Sequence, residues 1–62
     1  MDITRVRALE AAAIAVARFD EFGGEELLTE ERQAVAVARR SGITIDEIVL
    51  RAQQLRAPGW TV

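Results

Sequence analysis

The ten residues Arg39-Arg40-Ser41-Gly42-Ile43-Thr44-Ile45-Asp46-Glu47-Ile48 (RRSGITIDEI) decide the fold. Two arginines sit where the dipole of an ending helix favours cations. Gly42 then supplies a residue free to take the left-handed backbone that stops a helix. Immediately after it, Thr44-x-x-Glu47 has the spacing of a capping box. Ile43 and Ile48 stand at the two positions of a hydrophobic staple. Both devices predict a new helix opening at Thr44, joined to the previous one by a short turn.

Working outward, the second helix is expected over about 30–40, with Thr29 as N-cap and Glu30 and Glu31 in its first turn, facing the positive end of the dipole. The third is expected over about 45–56, with Ile45, Ile48, Val49, Ala52 and Leu55 as its apolar stripe and Ala57-Pro58-Gly59 as its stop. A first helix is expected over about 3–22, capped by Asp2 and stopped by Gly23-Gly24. At 100° per residue, Val6, Leu9, Ala13, Val16 and Ala17 form its inward stripe. Ile3 and Ile14 lie beside that stripe, and Ala11 and Ala15 lie behind it. The middle of this helix is apolar nearly all round, as in helices covered on more than one side. Gly23 to Leu28 reads as an acidic connection anchored by Leu27 and Leu28. No strand pattern or internal repeat appears. The fold class is all-α: one compact domain of three helices, its second half like a helix-turn-helix, with Trp60 in a short C-terminal tail expected to pack on the helices or insert into a partner.

A chain of 62 residues buries only about 60% of its unfolded surface. Domains of this size usually gain support from a disulfide, a metal or a partner. Cysteine and histidine are both absent, which leaves a partner as the expected support. Eight basic residues stand against ten acidic ones, for a net charge of −2. A free-standing nucleic-acid binder is usually basic, because phosphate neutralisation supplies much of its affinity. All eight basic residues are arginine, which with eleven alanines is the bias of a GC-rich genome. The apolar run from Ala11 to Ala17 is far shorter than the roughly 20 residues of a membrane span. No cleavage site follows it, so neither a signal peptide nor a membrane partner is expected, and the location is read as cytoplasmic or within a phage particle.

Catalytic equipment is not expected. An enzyme needs a nucleophile, base or metal held in place, and the chain has no His, Cys, Tyr or Lys; Ser41 is the only serine. The acidic pairs Asp20-Glu21, Glu25-Glu26, Glu30-Glu31 and Asp46-Glu47 point about 100° apart within each pair if helical. Their spacing also fails the calcium-loop pattern, and Gly23-Gly24 lacks a phosphate-loop context. No enzyme activity, cofactor, metal or small-molecule substrate is expected.

The segment from Ala34 to Gln53 resembles the helix-turn-helix motif over about twenty residues. Gly42 holds the turn, and Ala38 stands four residues before it, where that motif takes a small residue. Val37, Ile43 and Ile48 fall on its apolar positions, and Thr44 opens its recognition helix; Arg51 departs from the pattern, which takes an apolar residue there. The resemblance implies a DNA-binding regulator of phage or bacterial mobile-element type, with Arg39, Arg40, Thr44, Arg51, Gln53, Gln54 and Arg56 on the DNA. A recognition helix reads bases from its N-terminal part, and here that part presents Asp46 and Glu47, with Leu50 at the centre of the outward face. Bases are read mostly by Arg, Lys, Asn and Gln, so the acidic face disfavours nucleic acid. Glu47 is further expected to pair with Arg51 one turn on.

The first expectation is therefore a small non-enzymatic helical interaction module, an accessory or regulatory subunit that self-associates or docks on a larger assembly. Its protein interface is expected at Ile3, Ala11, Ile14, Ala15, Leu50 and Trp60. The DNA-binding regulator stands second, and a space-filling domain of a larger complex third.

Overall fold

The computed structural model describes residues 3–56, and consists of three helices: α1 over Ile3–Phe22, α2 over Glu25–Arg40 and α3 over Ile45–Arg56. No strand occurs among the described residues. The expected three-helix, all-α class is the one observed. Three sequence expectations, the Asp2 cap, the Ala57-Pro58-Gly59 stop and the Trp60 contact, lie outside the described residues.

The decisive decapeptide builds a compound joint. Gly42 takes φ +87°, its N–H donates to the Arg39 carbonyl at 3.0 Å, and the Ile43 N–H donates to the Ala38 carbonyl at 3.1 Å. This pair of bonds is a Schellman motif, which satisfies the carbonyls that an ending helix leaves open. Directly after it the capping box closes: the Glu47 N–H donates to Thr44 Oγ1 at 3.2 Å and the Thr44 N–H to Glu47 Oε2 at 3.4 Å. Ile43 belongs to both devices. It is the apolar residue that follows the Schellman glycine, and it is the staple partner of Ile48. Ile43, Ala38 and Ile48 all lie in one buried cluster with Ala8 and Ala12.

α2 starts five residues before the expected Glu30. Nothing from Glu25 to Leu28 breaks a helix, since Glu and Leu are strong helix formers. Gly24, at φ +98°, is the true boundary. The acidic first turn is Glu25 and Glu26, in place of Glu30 and Glu31. Thr29, expected as the N-cap, lies inside the helix, where its Oγ1 donates to the Glu25 carbonyl at 3.0 Å. Leu27 and Leu28 anchor the element from its own inward face, half-buried with Ala34 and Val35.

Helix α1 packs against both of the others, while α2 and α3 touch each other sparsely. The tight Gly23-Gly24 turn folds α2 back along α1, as short connections between helices do. Three ion pairs, Arg5–Glu47, Glu10–Arg51 and Asp20–Arg56, ascend both α1 and α3, so these two helices run in the same direction. The buried residues are Ala8, Ala12, Ala13, Ala38, Ile43, Ile48 and Ala52. On α1 this arc is rotated from the expected stripe: Val6 is exposed, and Leu9 and Val16 pack at the edge of the core. The centre of the arc is alanine because two helices converge there, and interaxial distance is set by the side chains at the contact. On α3, Ile45 and Val49 were expected to face inward; both are exposed, and Ile48 and Ala52 form the seam.

Candidate interaction surface

Filling the inside with alanine leaves larger apolar side chains outside. Among the described residues, Phe22 is 72% exposed, Ile3 62%, Leu50 58% and Ile14 46%. Ile3 and Ile14 are eleven residues apart, about three helical turns, and so share one outward face of α1. Ala11, beside them, is exposed, whereas Ala15 turns toward the body and is half-buried. Leu50 lies on α3, facing away from Ile48 and Ala52. Of the expected interface residues, α1 thus brings Ile3, Ala11 and Ile14 together. Trp60 lies outside the described residues.

Phe22 was not assigned to a surface by sequence, although it is the most exposed large apolar residue described. The available signal was its place at the end of α1, directly before the glycine pair.

The arginines divide into two groups. Arg51 is the most constrained: its Nε donates to Glu10 Oε1 at 2.6 Å, its Nη2 to Glu10 Oε2 at 3.3 Å and its Nη1 to Gln54 Oε1 at 3.2 Å. The hydrogen bond and charge of Glu10 raise the Arg51 pKa above its ordinary value. Arg5 Nη2 reaches Glu47 Oε2 at 3.2 Å, Arg18 reaches Glu30 at 3.8 Å, and Arg56 donates to Asp20. Arg51 and Glu47 were expected to pair with each other along α3. Each is instead taken by α1, because that helix lies alongside and offers the opposite charge to both.

Arg7, Arg32, Arg39 and Arg40 have no ion pair among the described residues. Of the residues that the motif resemblance places on DNA, Arg51 and Arg56 are held by α1 carboxylates and Thr44 by its capping box. Gln54 accepts from Arg51. Arg39, Arg40 and Gln53 are exposed, with no partner among the described residues. No set of three or more metal-ligating side chains converges among the described residues, and no helix is long and apolar enough to cross a membrane.

Comparison of the chain with models of known protein families, with curated proteins and with solved structures gives no match.

Proposed function

We propose that this chain is a small non-enzymatic helical interaction module, an accessory or regulatory subunit that acts by self-association or by docking on a larger assembly, in the cytoplasm or a phage particle. The observation that carries this reading is the inversion of side-chain size: alanine fills most of the buried positions, while Ile3, Ile14, Phe22 and Leu50 face out. Scattered exposed apolar residues are ordinary, but a shared face such as that of Ile3, Ala11 and Ile14 is what an interaction surface requires. The test is the particle mass of the 62-residue chain, both purified and in extract from its native source, by size exclusion with light scattering. The expected result is a mass above the 6.8 kDa of one chain in at least one of the two preparations. A mass of one chain in both, for a protein with a helical circular-dichroism spectrum, refutes the reading.

A second reading is favoured by one specific observation: Arg39 and Arg40 are exposed in the last turn of α2, just before the helix-turn-helix-like joint, with no ion pair among the described residues. The chain would then be a DNA-binding regulator gripping phosphates. It predicts duplex binding whose log affinity falls linearly with log salt, and a shallower slope for Arg39→Ala/Arg40→Ala. Absence of any mobility shift at low salt removes this reading.

A further inference from the structure

Arg7, Ile14 and Glu21 are spaced seven residues apart on α1, and all three are exposed. Seven residues make about two helical turns, so the three stand in one row on the face that packs against neither α2 nor α3. Neither Arg7 nor Glu21 has a hydrogen bond or ion pair among the described residues. The row therefore carries an open positive charge at one end, an isoleucine in the middle and an open negative charge at the other.

We propose that this face binds a second copy of the chain, with the two α1 helices antiparallel about a two-fold axis beside Ile14. The proposal rests on the interaction-module reading and names its partner. A two-fold axis there brings Ile14 onto Ile14 of the other copy and places Arg7 of each copy opposite Glu21 of its partner, so one self-complementary patch satisfies both charges twice. Parallel pairing of the same faces would set Arg7 against Arg7 and Glu21 against Glu21, so charge alone selects the antiparallel arrangement. Of the alanines three residues either side of Ile14, Ala11 is exposed and Ala17 half-buried, and both are small enough for close approach. Their charged neighbours Glu10 and Arg18 are already neutralised within the chain by Arg51 and Glu30, and bring no unbalanced charge to the seam. One helix pair is smaller than the ~800 Å² per partner of a standard interface, so the dimer is weak and depends on concentration.

The experiment is sedimentation velocity on the 62-residue chain over a concentration series up to about millimolar, where interfaces below standard size report. Three preparations are compared: wild type, Arg7→Glu, and Glu21→Arg. Circular dichroism checks that each keeps its helices. The wild type is expected to dimerise. Each single reversal makes two like-charge pairs and should weaken the dimer about tenfold or more. An equimolar mixture of the two variants should recover wild-type association, because every Glu then meets an Arg across the hetero-pair. Ile14→Asp should abolish association in all cases. If the wild type dimerises but neither reversal weakens it, the pairing geometry is wrong while the interaction-module reading stands. A purified wild type that stays monomeric to about millimolar overturns the dimer outright. The mass in native extract then decides separately whether the chain docks on a different partner.

Discussion

Replacing Ile43 by alanine should unfold much of the protein, whereas the same replacement at Ile45, two residues on, should not. Ile43 is 2% exposed and Ile45 is 45% exposed. Ile→Ala removes three carbons, worth about 0.8 kcal/mol each when fully buried, or roughly 2.4 kcal/mol for Ile43. The cavity left behind adds to this, because Ala38, Ala8 and Ala12 around it are too short to fill the space, which brings the expected loss into the range of about 2–5 kcal/mol. A core of this size supplies only about 3–5 kcal/mol in all. Ile45→Ala, with about half its surface already in water, should lose roughly 1 kcal/mol. Urea titration followed by far-ultraviolet circular dichroism measures both, and Ile43→Val, expected to cost about 0.5–1.5 kcal/mol, keeps a folded baseline if the alanine variant has none. An Ile45→Ala loss equal to or greater than that of Ile43→Ala would refute the claim that Ile43 is the common element of the Schellman motif and the staple.

Gly42→Ala should destabilise the chain by about 1–2 kcal/mol, the cost of a left-handed backbone for an L-residue. The whole of it is conformational, because an added Cβ meets nothing within 4 Å; a thermal-melt midpoint unchanged from wild type would contradict the observed turn. The two threonines should behave oppositely in the same assay. Thr44→Ala removes an N-cap and should cost about 1 kcal/mol. Thr29→Ala lies in the exposed interior of α2 and should be neutral or slightly stabilising, since alanine has the higher helix propensity; a loss of about 1 kcal/mol there would restore Thr29 as a cap.

The turn and cap of the joint from Arg39 to Ile48 were legible because their causes are local, whereas the exposure of Ile45 and the pairing of Glu47 with Arg5 depend on where α1 lies. A glycine, a threonine and a glutamate at fixed spacing each bond backbone groups within a few residues. The start of α2 was not read correctly, since Thr29 followed by two glutamates imitates a helix N-terminus. The better signal was the recurrence of Leu27, Leu28, Ala34, Val35 and Ala38 at helical period, which continues back through the supposed loop. Which face of α1 is buried was also misread. Hydropathy weights Val6 above Ala8, whereas a helix wedged between two others selects for small size at its centre. The ion pairs were out of reach, because Arg51 has a carboxylate available on α3 and a better-placed one on α1, and only the tertiary arrangement chooses between them. At the candidate surface, Ile3, Ala11, Ile14 and Leu50 were legible as apolar residues off the main stripes, while the open charges of Arg7 and Glu21 became visible only once the other pairs were assigned.

The sparse contact between α2 and α3 bears on how the chain opens. α3 is held to α1 by pairs separated by 42, 41 and 36 residues, while α1 and α2 are a hairpin closed by two glycines. Loop-closure entropy makes the hairpin the earlier unit to form and the long-range docking of α3 the later one. In the native state the same asymmetry runs in reverse. Amide protons of α3 are expected to exchange with solvent through a partial opening that leaves α1 and α2 together, while those in the middle of α1 exchange only on global unfolding. α1 would then be the last helix to lose protection, as the element on which both of the others depend.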